Sequence, residues 1–64
     1  MKRKDFLKYL ALHRCELMRE GARHTLFCNI SLQRFSTVPR HNEINSFLAK
    51  KICCDLGIEP ISKR

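Results

Sequence analysis

The sequence lacks any long apolar run. No stretch approaches the roughly 20 consecutive apolar residues that a membrane-spanning helix needs, so the pattern argues against an integral membrane protein. Residues 1–4 lead directly into an amphipathic stretch, without the apolar core of an export signal. We therefore expect a cytoplasmic protein with no membrane partner.

The sequence also has no C-x-x-C pair, although it contains four cysteines. Cys53 and Cys54 are adjacent and no export signal is present, so we interpret all four as reduced thiols. Adjacent cysteines on a helix point about 100° apart, and the four cysteines together with the histidines lack the spacing of a zinc site. We therefore expect neither a metal nor another cofactor.

Acidic residues are scarce. Six Asp and Glu stand against 13 Lys and Arg, which gives a formal net charge of +7 and an isoelectric point near 9.8. The basic residues are interleaved with apolar ones along the chain, which is typical of a folded basic domain and not of a polycationic tail. Such a field attracts polyanions, so nucleic acid is the first partner to consider and an acidic protein is the second.

The length of 64 residues, 44% of them apolar, predicts one small domain over residues 1–64. A chain of this size buries only about 60% of the surface that its unfolded form exposes. Little room is left for a deep, enclosed cavity. Any active site is therefore expected to be shallow and near the surface.

Two apolar stripes at helical spacing predict helices over residues 4–13 and 46–56. Asn45 is a good N-cap for the second helix, and Gly57 supplies the left-handed residue that commonly ends one. The two stripes consist of Phe6, Leu7, Leu10 and Ala11, and of Leu48, Ala49, Ile52, Cys53 and Leu56.

Three short runs between the helices predict strands over residues 15–19, 23–28 and 34–38. Gly21 can turn the first run into the second, and Pro39 removes a ladder donor and ends the third. Consecutive strands with short loops form an antiparallel sheet, and both helix stripes must be buried on one of its faces. We expect an α+β fold in two layers, in the order α-β-β-β-α, with a three-stranded sheet and two helices on one face.

Four stretches of the chain resemble the HicA family of toxin components: residues 2–7, 15–24, 38–41 and 49–58. Within them the resemblance rests on a Gly-x-x-His turn, a Val-Pro-Arg-His segment and a closing helix that ends in Leu-Gly-Ile. It covers nearly the whole chain in the right order. The resemblance implies a double-stranded-RNA-binding-domain-like fold, a ribosome-independent mRNA endonuclease activity and a partner antitoxin called HicB.

The resemblance assigns the catalytic histidine to His24. The chemistry is consistent with one imidazole, because RNA supplies its own 2′-hydroxyl nucleophile and the protein need add only proton transfer and charge stabilisation. An unperturbed imidazole titrates near pH 6.5, so it can accept or donate a proton at neutral pH. Arg23 and Arg19 are candidates to hold the scissile phosphate, for which guanidinium geometry is suited.

Arg40 and Lys50 complete the predicted RNA-binding residues, with a structural role and a solvated helix face as their alternative interpretations. We expect His41 to tie down the segment after Pro39 or to bind phosphate, and His13 to face solvent at the end of the first helix. Most aromatic residues are assigned to the core, with Phe27 as a candidate for base stacking. Cys15 and Cys53 are expected to be buried, and Cys54 to be exposed.

Two other functions fit the same sequence. A non-catalytic RNA-binding module would need the same fold and charge, and burial of His24 away from the basic surface would favour it. A decayed toxin that acts only as a protein-interaction domain would use its basic face to dock an acidic partner. RNA affinity too weak to measure at low salt would favour that alternative.

Overall fold

A computed structural model describes residues 1–61 and confirms the predicted α+β order. Each element begins and ends within one residue of its prediction. The elements are α1 (Arg3–Leu12), β1 (Cys15–Glu20), β2 (His24–Asn29), β3 (Arg34–Pro39) and α2 (Ser46–Leu56). Neither helix is long and apolar enough to cross a membrane.

The three strands form one antiparallel sheet in the order β1-β2-β3. A β-bulge between Leu17 and Arg19 shifts the pairing of β1 with β2. The third strand continues one residue further than predicted, to Pro39, which lies opposite His24. Proline is tolerated there because it is the last residue of an edge strand, where the missing N–H interrupts no further pairing.

Both helices pack on the same face of the sheet, as predicted. Alternate residues of β2 point to opposite faces, and Thr25, Phe27 and Asn29 point toward the helices. By the same alternation His24 lies on the outer face. The core between the layers contains Phe6, Leu10, Cys15, Phe27, Val38, Ile44, Ala49, Ile52, Cys53 and Leu56.

The ends of α2 follow the predicted signals. The Asn45 side chain accepts a hydrogen bond of 2.8 Å from the backbone N–H of Leu48. Gly57 has φ of 73°, in the left-handed region that favours glycine. A Cβ at Gly57 would also lie 2.8 Å from Cδ1 of Leu32, in the loop between β2 and β3. Gly57 therefore both ends the helix and lets the loop approach it closely.

The aromatic residues do not all follow prediction. Phe27 is only 6% exposed and belongs to the core, so it is not the base-stacking residue for which it was the candidate. Phe35 and Phe47 were expected in the core but are 54% and 83% exposed. Phe47 lies in the first turn of α2, outside its apolar stripe.

The cysteines match their predicted environments. Cys15 and Cys53 are buried and Cys54 is exposed. All four cysteines of the chain are free thiols. Burial raises the pKa of the Cys15 and Cys53 thiols, because the thiolate loses its hydration in the core. These two residues therefore serve as small neutral core groups.

Candidate nucleic-acid interface

The turn between β1 and β2 sets the position of His24. The backbone N–H of Gly21 donates a hydrogen bond of 2.8 Å to the carbonyl oxygen of His24. A Cβ at Gly21 would lie 3.0 Å from that same oxygen, which is a tight contact with backbone. Glycine thus allows the turn to close tightly, and His24 follows as the first residue of β2.

Arg40 fastens the segment after β3 to this turn. Its backbone N–H donates to the carbonyl oxygen of Arg23 at 3.2 Å. Its guanidinium donates to the carbonyl oxygen of Gly21 at 3.1 Å and pairs with Oε1 of Glu20 at 3.4 Å. Arg40 therefore has the structural role that was one of its two interpretations.

Arg3 holds the same end of the sheet from the helix side. Its Nε donates to the carbonyl oxygen of Pro39 at 2.9 Å, and its Nη2 donates to Oγ1 of Thr25 at 2.9 Å. Thr25 is adjacent to His24, and Pro39 lies opposite it. The sequence analysis did not predict this role of Arg3, because the sequence shows only that Arg3 lies near the start of a helix and off its apolar stripe.

Four side chains line an open depression of about 520 Å³ at this end of the sheet: Arg23, His24, Arg40 and His41. All four residues are exposed. The lining combines two guanidinium groups with two imidazoles and includes no carboxylate among residues 1–61. Such a surface can hold a phosphate through charge-assisted hydrogen bonds and can exchange protons with a bound group.

The other predicted RNA contacts lie outside the depression. Arg19 is exposed on β1 and pairs with Leu26, so it shares the outer sheet face with His24, two positions away along β2. Lys50 is exposed on α2 and does not line the depression. The structure therefore brings Arg23 and Arg40 together with His24 in the depression. Arg19 lies outside the depression but on the same sheet face as His24, and Lys50 lies apart from both.

The remaining histidines differ from expectation. His13 caps the C-terminus of α1 and is half-buried, with its ring centroid 4.3 Å from that of Tyr9, so the prediction that it faces solvent is only partly right. His41 lines the depression with His24. The segment after Pro39 is tied to the hairpin by Arg40, not by the His41 side chain.

A second depression, of about 380 Å³, lies beside the start of α1. It has a mixed lining that includes Lys2, Lys4 and Glu43, and Lys2 and Glu43 form an isolated antiparallel bridge. No group of three or more His, Cys, Asp or Glu side chains within residues 1–61 is arranged to hold a metal ion.

Comparison with protein-family models, with curated proteins and with solved structures finds no match for this chain. The fold and the lining of the depression define the class of protein. It is a small basic α+β domain with an open depression, lined by imidazole and guanidinium groups, where a hairpin turn meets the end of an edge strand.

Proposed function

We propose that this protein is a HicA-type toxin, an endoribonuclease that cleaves mRNA independently of the ribosome and uses His24 for proton transfer. The observation that carries the proposal is the exposed His24 in one depression with the guanidinium groups of Arg23 and Arg40. Burial of His24 would have favoured a module that only binds RNA. Its exposure supports catalysis instead.

The proposed reaction uses the substrate's own nucleophile. The 2′-oxygen attacks the adjacent phosphorus while its proton passes to a base, and the bond from phosphorus to the 5′-oxygen breaks. The leaving 5′-oxygen takes a proton from an acid, so the products are a 2′,3′-cyclic phosphate and a 5′-hydroxyl. His24 supplies one of these proton transfers.

Arg23 and Arg40 stabilise the charge that develops on the phosphoryl oxygens. A guanidinium suits this because it offers paired N–H donors in a plane and stays charged at any physiological pH. Arg40 is already bound to Glu20 and the Gly21 carbonyl, so we assign the main phosphate contact to Arg23. Arg19 and Lys50 would contact flanking phosphates of a longer RNA.

A substrate test separates this mechanism from metal-activated water. RNA with a single 2′-deoxy nucleotide at the scissile position should bind but remain uncut, and the unmodified RNA should still be cleaved in excess chelator. The products should carry cyclic phosphate ends, detected by mass spectrometry. Cleavage of the deoxy substrate, or activity lost to chelator and restored by a divalent ion, would contradict the proposal.

The proposed partner is a HicB-type antitoxin in the cytoplasm. An open depression cannot be inhibited by filling a deep pocket, so we expect the antitoxin to lay an acidic or aromatic surface over Arg23, His24 and Arg19. The complex should then lose RNA affinity and protect His24 from solvent, as measured by imidazole chemical modification. A complex that binds RNA as tightly as the free domain and leaves His24 reactive would exclude direct occlusion.

A further inference from the structure

His41 lies in the same depression as His24, although the two residues are far apart in sequence. The third histidine, His13, lies elsewhere, at the end of α1 against Tyr9. The depression therefore holds two of the three histidines of the chain. Both are exposed, so both imidazoles are accessible to a bound phosphodiester.

The pairing of β2 with β3 explains why the two histidines meet. His24 lies opposite Pro39, and His41 follows Pro39 by two residues. Beyond Pro39 the chain remains beside the hairpin, because the Arg40 N–H donates to the Arg23 carbonyl at 3.2 Å and the Arg40 guanidinium donates to the Gly21 carbonyl at 3.1 Å. The strand pairing and these two hydrogen bonds of Arg40 thus position both histidines.

We propose that His41 is the second proton-transfer residue of the reaction, so that His24 and His41 act as a base and acid pair. This inference rests on the proposed nuclease function and deepens it. In the proposed cleavage step, the proton of the 2′-hydroxyl passes to one imidazole while the other, as imidazolium, protonates the departing 5′-oxygen. Two groups complete the transfer in one event, whereas a single imidazole would have to move protons at two sites.

The charged groups around the pair suit this division. Arg23 and Arg40 line the depression with the histidines, and Glu20 lies beyond it, where it pairs with Arg40. The guanidinium groups offset the negative charge of the phosphate, while the imidazoles are the only side chains in the lining within residues 1–61 that can serve as an acid or a base.

The first test compares His41→Ala and His41→Gln with His13→Ala as the matched control. Single-turnover cleavage by both His41 variants should fall by the roughly hundred-fold or more that loss of an acid or base group produces, while RNA affinity stays within about twofold. His13→Ala should cleave like wild type. Thermal unfolding of each variant checks that the fold is intact. Because His41 is exposed, we expect its two substitutions to leave the unfolding temperature unchanged.

The second test identifies which histidine is the acid. A substrate with sulfur in place of the bridging 5′-oxygen leaves as a thiolate and needs no proton, so loss of the acid should matter little for it. One variant of the pair His24→Ala and His41→Ala should recover near wild-type cleavage on this substrate, and the other should not. In addition, the pH profile of wild-type cleavage should have two limbs, and the variant without the acid should lose the alkaline one.

The outcomes separate this inference from the proposed function. If His24→Ala is inactive but the His41 variants cleave within about threefold of wild type, the inference is wrong and the nuclease proposal stands. Recovery of both variants or of neither would also overturn the paired roles and leave His41 a positioning residue. A wild-type domain that does not cleave RNA at all would overturn both proposals.

Discussion

The two ends of the sheet use similar side chains for different purposes. At the end beside the C-terminus of α2, here called the structural end, Asn29 and Arg34 donate to backbone carbonyls. At the opposite end, where the turn joins β1 to β2 and which is here called the hairpin end, Arg23, His24 and His41 are exposed in an open depression. The comparison teaches that a basic or amide side chain is informative about function only once its hydrogen-bond partners are known.

The structural end satisfies the last four carbonyls of α2, which have no partner within the helix. The N–H of Ile58 donates to Cys53 and that of Gly57 to Cys54. The two side chains complete the set, with Arg34 Nε donating to the Asp55 carbonyl at 3.0 Å and Asn29 Nδ2 donating to the Leu56 carbonyl at 2.8 Å. These side chains are therefore engaged in holding α2 on the sheet.

The hairpin end has its own structural residues, and they can be separated from the candidates for function. Arg3 and Arg40 both bind carbonyl oxygens there, at Pro39 and Gly21. Arg40 also lines the depression, whereas Arg3 is half-buried against the strands. Positive charge alone would not have distinguished the two.

Loss of the Asn29 amide should produce the largest loss of stability at the structural end. Asn29 is 4% exposed, so Asn29→Ala leaves the Leu56 carbonyl without its donor in a buried site. The free energy of unfolding should fall by about 1–3 kcal/mol in urea titrations. Cleavage per folded molecule should not change.

Asn42→Ala is the matched control, because the Asn42 side chain is exposed. It should change the free energy of unfolding by less than about 0.5 kcal/mol. Equal effects of the two substitutions would contradict the structural role assigned to Asn29.

A charge-matched pair of variants tests the comparison directly, with smaller effects. Arg23→Gln and Arg34→Gln each remove one positive charge. Arg23→Gln should weaken binding to single-stranded RNA by up to about tenfold and reduce the salt slope by about 0.7, the value for one lost phosphate contact. Its free energy of unfolding should stay within about 0.5 kcal/mol of wild type.

Arg34→Gln should have the opposite profile. It removes donors to the Asp55 and Cys54 carbonyls, so the free energy of unfolding should fall by about 0.5–1.5 kcal/mol while RNA affinity is retained. Titrations at several salt concentrations give the affinities and slopes. If both variants lose the same RNA affinity, net charge and not position governs binding, and the contrast between the two ends fails.

Local signals in the sequence were sufficient for the elements of the fold. The helix stripes, the Asn45 cap and the left-handed Gly57 depend on spacing of a few residues, which the sequence displays directly. For the strands, the sequence predicted the residue ranges but not which side chains face the core. Phe27 and Phe35 lie on different strands and on opposite faces of the sheet. The face to which each residue points depends on the pairing register of its strand, which spacing along the chain does not reveal.

The candidate site could be predicted only in part for a related reason. Arg23 and His24 are neighbours in sequence, so their association needs no tertiary information. The approach of His41 depends on the pairing of β2 with β3, and the engagement of Arg3 depends on how α1 packs on the sheet. Both are long-range contacts, and the Val-Pro-Arg-His segment that contains His41 does not by itself show that His41 meets His24.

The most direct test of the central claim is single-turnover cleavage of RNA by the His24→Ala variant in excess chelator, with RNA affinity measured on the same preparation. The His24 side chain is exposed, and the contact of His24 with the turn is made by its backbone carbonyl, which accepts from the Gly21 N–H. Removal of the imidazole should therefore leave the fold and the RNA affinity nearly intact. Cleavage should fall by about a hundred-fold or more, as expected for loss of a proton-transfer group. A purified variant that cleaves at a rate near that of wild type would contradict the account.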